Sequence, residues 1–227
     1  MKIALIPARS GSKRLPKKNK INFLGKPLIE YSVLFAEKNN FDDIIISTDD
    51  EDLLNYAVKR GINYIQRPKK ISLDTTPIYE VLKHMISEKN ISNNSTITLL
   101  QPTNPLREKN LYNDALEKFQ DDEYDSLISI SKNSKKIGTT DKYFKPLYNP
   151  GQRSQDINSY YENGLIYILK SDNLNNNNLF GNKIGYLEVC DEFGRVDIDN
   201  YYDLKLAEII LENNKKIFKH LLWVILI

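Results

Sequence analysis

Short runs rich in Ile, Val and Leu alternate along this chain with longer segments of helical period, and that alternation narrows the fold more than any other feature. Short β-branched runs without polar alternation are strands buried on both faces, the pattern of a mostly parallel sheet sandwiched between helices. The reading places a strand at Lys2 to Pro7, a helix from Pro27 to Asn39, a strand at Asp43 to Ser47, a helix from Asp50 to Arg60 stopped by Gly61, and a short strand near Asn63 to Ile65. Pro77 opens the next helix, which runs to about Glu88, in the first turn where a missing N–H costs nothing. Ile97 to Leu100 reads as a central strand, ended sharply by Gln101-Pro102-Thr103-Asn104-Pro105. A helix from Lys109 to Phe119 and a strand from Ser126 to Ser131 complete the first half. Such βα repeats predict an α/β fold with a doubly wound, mostly parallel sheet.

From Lys132 to Tyr161 the rhythm lapses into polar and turn residues, read as an inserted arm serving either as a dimerisation element or as a substrate lid. Strand signals resume at Gly164 to Leu169, Asn173 to Asn178 reads as a solvated low-complexity loop, and a strand ends at Val189. The acidic segment Arg195 to Asp199 and a helix from Tyr201 to about Glu212 close a single domain over 1–213, with the arm at 132–161 and an apolar tail over 214–227. With 227 residues, 41% of them hydrophobic, one large domain with a proper core is the default. The apolar run Leu221 to Ile227 falls short of the roughly 20 residues that span a bilayer. It is expected to dock on the domain or a partner subunit, with an interfacial membrane contact as the alternative.

Lys plus Arg (32) nearly balance Asp plus Glu (30), so the global basic field of a nucleic-acid binder is missing. The single cysteine, Cys190, makes no internal disulfide, and His84 and His220 are too far apart for zinc spacing. A reducing cytoplasm fits, and neither a signal peptide nor a transmembrane segment is read.

The positive charge is instead local. The first strand empties into a loop holding Arg9, Lys13, Arg14, Lys17, Lys18 and Lys20 around Gly11, and ligands of open α/β sheets bind outside the carboxyl ends of the strands. Gly11 admits a ligand close to the backbone, and Arg9, Lys13 and Lys18 would neutralise a triphosphate, although a solvated basic loop has the same composition. The spacing is not that of a Walker A loop. Asp197 and Asp199 alternate about one apolar residue, so on an extended backbone both carboxylates face one way. That pair suits Mg²⁺, which takes oxygen ligands and keeps water and phosphate in its shell, with ordinary strand-end aspartates or a helix N-cap as the competing explanation. Gln101 and Arg107 bracket the double-proline turn and would hold a polar substrate, or merely cap and pack it. Arg153 and Gln155 would grip a carboxylate, unless they are simply solvated.

Taken in order, these segments resemble the acylneuraminate cytidylyltransferases (CMP-sialic acid synthetases) over about residues 2 to 212. The matching stretches are Ile6 to Lys13, Leu15 to Asn19, Ser47-Thr48-Asp49, Arg67-Pro68, Asp74-Thr75, Leu99 to Arg107, Asn163 to Ile168 and Asp197-Ile198-Asp199. The resemblance implies a Rossmann-like nucleotidyltransferase that transfers CMP from CTP to the anomeric hydroxyl of a nonulosonic acid, an acidic nine-carbon sugar, and releases pyrophosphate. It implies that Arg9 and Lys18 hold the triphosphate, that Ser12, Asn19 and Arg67 contact the nucleotide, and that Asp197 and Asp199 bind Mg²⁺. Asp199 would also help activate the hydroxyl. Gln101, Arg153 and Gln155 would contact the sugar, and a homodimer would exchange arms. Three stretches depart from the pattern. Lys132 to Thr139 does not align with the basic sugar contact of the sialic acid enzymes, Thr76-Pro77-Ile78 replaces a small polar pattern, and Asn104 stands where serine is common. The related 3-deoxy-octulosonate cytidylyltransferases carry an Arg-Leu-Pro-Gly-Lys-type run, whereas Lys17-Lys18-Asn19 follows Pro16 here. A catalytically inactive nucleotide-binding scaffold of the same fold is the alternative from another class.

Overall fold

The computed structural model describes residues 1–121, 123–133, 135–176 and 178–222. The order begins β1 (Lys2–Pro7), β2 (Asn22–Phe23), β3 (Lys26–Pro27), α1 (Leu28–Glu37), β4 (Asp43–Thr48), α2 (Glu51–Arg60) and β5 (Asn63–Gln66). It continues with α3 (Ile78–Lys89), β6 (Thr96–Leu99), α4 (Leu111–Asp121), β7 (Ser126–Lys132), β8 (Gly138–Thr140) and β9 (Phe144–Pro146). Last come β10 (Tyr160–Lys170), β11 (Ile184–Glu188), α5 (Asp191–Gly194), α6 (Tyr201–Asn213) and α7 (Lys219–Leu222).

One seven-stranded sheet, in the order β11-β7-β10-β6-β1-β4-β5, carries the molecule. All its pairings are parallel except those of β10, which runs antiparallel to both β6 and β7. Strand pleating sorts β1 between two layers. Ile3 and Leu5 pack with Ile45, Ile97 and Leu99 beneath Leu82 and Met85 of α3. Ala4 and Ile6 join the larger core on the other side, with residues of α1, α2, α4, α6 and α7. The helix signals act as expected at α2: Asp50 caps its N-terminus by accepting from the Asp52 N–H at 2.9 Å, and Gly61 ends it at a left-handed φ of 65°. Pro77 stands one residue outside α3, as its extended N-cap.

Two further expectations need correcting. Asn173 and Leu174 are buried and form part of a 3₁₀ turn, Ser171–Asn176. Leu174 joins the α3 layer while the Asn173 amide donates to the Asp125 carbonyl at 3.0 Å, so the start of the asparagine-rich stretch is anchored, whereas Asn178 is exposed as expected; residue 177 lies outside the described residues. The Asp197–Asp199 segment does not end a strand. It is an irregular link between α5 and α6, tied to the sheet end by the Ile198 N–H, which donates to the Thr103 carbonyl at 2.8 Å.

The arm forms its own two-stranded hairpin, β8 with β9, apart from the main sheet. The described part of the tail packs on its own domain: Phe218 and Leu221 are fully buried, and Phe218 meets Phe193 edge-on at 4.9 Å. Residues 223–227 of the tail lie outside the described residues. Among the described residues no helix is long and apolar enough to cross a membrane.

Candidate active site

The carboxyl ends of β1, β5 and β6 meet at a cavity of about 190 Å³ bordered by Arg9, Ser12, Lys18, Asn19, Arg67 and Gln101. The loop after β1 is fastened to β4: the Ala8 N–H donates to Ser47 O at 2.9 Å, and Ser10 gives its N–H (2.8 Å) and hydroxyl (2.6 Å) to the Asp49 carboxylate. Lys17 takes a left-handed φ of 56°, which turns the chain into the 3₁₀ turn Lys18–Lys20 and buries Asn19. The Asn19 amide then donates to Arg9 O at 2.9 Å and closes the loop on itself. Backbone geometry, more than charge, gives the basic loop its shape.

Four of the loop's cations are shared between two carboxylates, while Lys20 pairs instead with Asp50 at 2.7 Å and Asp52 at 2.6 Å. Arg9 and Lys13 pair with Asp74, the latter at 2.9 Å, and Arg14 and Lys18 pair with Asp199, Lys18 at 2.8 Å. Burial alone would raise the pKa of Asp199, but the hydrogen bond and charge of Lys18, with Arg14, outweigh it and hold the carboxyl below its ordinary value. Asp197 behaves oppositely. The residue is exposed, yet its carboxyl end lies among protein atoms, and this desolvation raises its pKa, with the charge of Asp199 adding and a Thr103 hydrogen bond opposing. Arg67 is almost wholly buried, donating to Ser47 Oγ at 3.2 Å and to Ser47 O at 2.7 Å; desolvation lowers its pKa to about 10.

Among the described residues no three His, Cys, Asp or Glu side chains form a metal cage. Asp197 and Asp199 supply two anionic oxygen donors, one with a raised and one with a depressed pKa. Such a pair fits a hard cation that completes its shell with phosphate oxygens and water.

Gln101 is shared by three recesses. Besides the first cavity it borders a recess of about 270 Å³ reaching Tyr161, Glu162, Arg195 and Asp197. It also borders one of about 220 Å³ walled by Leu99, Tyr167, Leu169, Leu179 and Phe180. The turn after Gln101 is built from buried polar groups. Asn104 donates to the carbonyls of Asn163 and Val196, both at 3.0 Å, which ties the turn to the link that carries Asp197. Gly164 sits at φ 75° with a would-be Cβ only 2.8 Å from Asn104 Oδ1, so glycine is required there. Arg107 is not a substrate contact, contrary to the expectation from its place in the turn. It is fully buried and donates to Leu165 O (2.6 Å), Ser32 Oγ (3.0 Å) and Gln101 O (2.7 Å), and burial lowers its pKa to about 9. Its work is to brace the backbone under Gln101.

Arg9, Ser12, Lys18, Asn19, Arg67 and Gln101 thus border one cavity, with Asp199 tied to it through Lys18 and Asp197 bordering the adjoining recess. Arg153 and Gln155 are not brought to these recesses: both are exposed on the arm, and Arg153 pairs with Asp156 at 2.7 Å. Arg14, Asp74 and Thr103 escaped notice as partners of the site. Arg14 stood in the basic loop, but no local pattern joins it or Lys18 to an aspartate so distant in sequence.

A doubly wound sheet with a cationic loop bordering a cavity at its strand ends, and an aspartate from far along the chain tied to that loop, is the arrangement of a nucleotidyltransferase. Within that class, the cytidylyltransferase family model matches residues 3–220, and the chain belongs to this family. It is 33% identical over 213 residues to the N-acylneuraminate cytidylyltransferase of Streptococcus agalactiae serotype III (strain NEM316), covering 88% of this chain and 51% of the relative. It is 30% identical over 232 residues to the pseudaminic acid cytidylyltransferase of Campylobacter jejuni subsp. jejuni serotype O:23/36 (strain 81-176), covering 93% and 97%. The chain therefore spans about half the length of the first of these relatives and nearly all of the second. The fold also matches a CMP:2-keto-3-deoxy-manno-octonic acid synthetase solved with CTP, at TM-score 0.72 and 18% identity, covering 93% of this chain and 98% of the other.

Proposed function

We propose that this chain transfers CMP from CTP to the anomeric hydroxyl of a nonulosonic acid. The observation that supports the reading is the cavity bordered by loop cations, with Asp199 tied to it through Lys18 and Gln101 bordering two further recesses, one of which reaches Asp197. The anomeric oxygen attacks the α-phosphorus in line, the new O–P bond forms as the bond to the β-phosphate oxygen breaks, and pyrophosphate leaves. Arg9 and Lys18 hold the triphosphate and stabilise charge on the transferring and leaving groups. Ser12, Asn19 and Arg67 contact the nucleotide, Arg67 as a cation already desolvated and aimed by Ser47. Asp197 and Asp199 would hold Mg²⁺, which when bound neutralises phosphate charge. Of the two, Asp199 is kept ionised by its cations and would accept the hydroxyl proton.

On the sugar side, Gln101 contacts the substrate, and the apolar recess beside it suits an acyl or methyl substituent. Arg153 and Gln155 reach the sugar carboxylate from the arm of a second copy, which makes a homodimer the working unit. The exposed free thiol of Cys190 agrees with a reducing cytoplasm. Pyrophosphate release is the test, with several nonulosonic acids and 3-deoxy-octulosonate each offered with the four nucleoside triphosphates and Mg²⁺. Turnover is expected only with CTP and a nonulosonic acid. Turnover with 3-deoxy-octulosonate alone would reassign the sugar, and CTP binding without turnover on any acid would favour the inactive scaffold.

A further inference from the structure

Asp74 has no part in the proposed reaction, yet two of the loop's paired cations, Arg9 and Lys13, both end on it. It is not carried by the basic loop. Asp74 stands on the turn Leu73 to Thr76, where the Thr76 N–H donates to Leu73 O at 3.1 Å and the Leu73 N–H to Thr76 Oγ1 at 3.2 Å. Leu73 and Thr76 border the same cavity as Arg9, so this turn sets a fixed negative charge at its rim. The two cations lower the pKa of Asp74 through hydrogen bonds and charge, which keeps it ionised at neutral pH.

We propose that Asp74 is a placeholder for phosphate: its carboxylate competes with the triphosphate, and afterwards with pyrophosphate, for Arg9 and Lys13, and so limits how tightly the loop retains its anionic product. The inference rests on the nucleotide reading of the site. The competition follows from elementary charge and donor counting. Lys13 is a solvent-facing side chain held in place by Asp74, and a compact ammonium cannot give full charge-assisted contacts to a carboxylate and to a phosphate in one direction. Arg9 also adds its charge against the buried Arg67, and without a counter-charge this group of cations would bind any polyanion tightly. An enzyme that must release pyrophosphate at every turnover gains from a built-in competitor that refills the same contacts. The opposing possibility is that Arg9, with several N–H donors, keeps Asp74 while it binds phosphate, in which case Asp74 positions the arginine and strengthens binding. The two differ in sign.

The experiment is calorimetric titration of CTP and of inorganic pyrophosphate into wild type, Asp74→Asn and Asp74→Glu, with circular dichroism to verify the fold. Asp74→Ser gives the same reading should the asparagine variant be unstable. Asp74→Asn is expected to bind pyrophosphate roughly three- to tenfold more tightly, the factor that two surface ion pairs are worth. Asp74→Glu, which keeps the charge, is expected to stay near wild type. Product inhibition by pyrophosphate should strengthen by the same factor while the KM for the sugar stays put, a split that a merely structural lesion would not give. Weaker or unchanged pyrophosphate binding in Asp74→Asn, with CTP still bound by wild type, overturns the placeholder alone. Failure of wild type to bind either anion overturns it together with the nucleotide reading.

Discussion

At Asp199 the basic loop and the end of the chain become one site. Lys18 holds it at 2.8 Å, Arg14 holds it from the open side, and its backbone N–H donates to Asp203 Oδ2 at 2.9 Å, so both its charge and its direction are fixed. Asp199→Asn keeps the shape and removes the charge. Turnover is expected to fall at least about a hundredfold, the scale of losing one preorganised electrostatic contact, while the melting temperature moves little because the group is half-exposed. A steady-state assay over a range of Mg²⁺ concentrations checks it, and normal turnover throughout would remove Asp199 from the metal site. This residue was legible in the sequence as one of a pair, since two acids flanking an apolar residue present a common face. Arg107 was not: a guanidinium in a proline turn looks the same whether it meets a substrate or the carbonyls of Leu165 and Gln101, and backbone partners leave no sequence signal.

At the scale of elements, caps and packing explain why the site holds its form. Asn200 and Asp203 make a capping box at the start of α6, with Asn200 Oδ1 accepting from Tyr202 N at 2.8 Å and Asp203 Oδ2 accepting from Asn200 N at 3.0 Å. The same Asp203 oxygen fixes Asp199, so helix initiation and site geometry share an atom. Farther on, Phe218, just before α7, and Leu221 within it insert into the core, while His220 Nε2 lies 2.9 Å from the carbonyl of Arg107, linking the tail to the brace under Gln101. Phe218→Ala is therefore expected to cost roughly 3–5 kcal/mol, as for an aromatic ring removed from a packed core. Urea unfolding measures it, and a loss below about 1 kcal/mol would mean the tail is a loose appendage. The βα order was readable from apolar periodicity because helices such as α2 show one apolar face and strands such as β1 and β6 are runs buried on both. The antiparallel course of β10 was not, since a strand buried on both faces reads alike in either direction.

The whole molecule leaves one group of its candidate residues stranded. Arg153 and Gln155 sit on an arm whose hairpin stands apart from the main sheet, with Tyr143, Phe144 and Leu147 exposed along it. An apolar hairpin held out in this way suits contact with another surface, and a second copy would bring Arg153 to the other chain's sugar recess. Arg153→Ala is expected to raise the KM for the sugar far more than that for CTP; the reverse would move the residue to the nucleotide site. Mixing decides whether it acts across chains. An Asp199→Asn chain keeps a sound arm, and an Arg153→Ala chain keeps a sound metal pair. If the arm works in trans, each mixed dimer has one site with both lesions and one with neither. Equal mixing and exchange of two variants that are each nearly silent at low sugar concentration should then restore about a quarter of wild-type activity, because half the dimers are mixed and half their sites are intact. If the arm folds back on its own chain, every site keeps one lesion and mixing restores nothing.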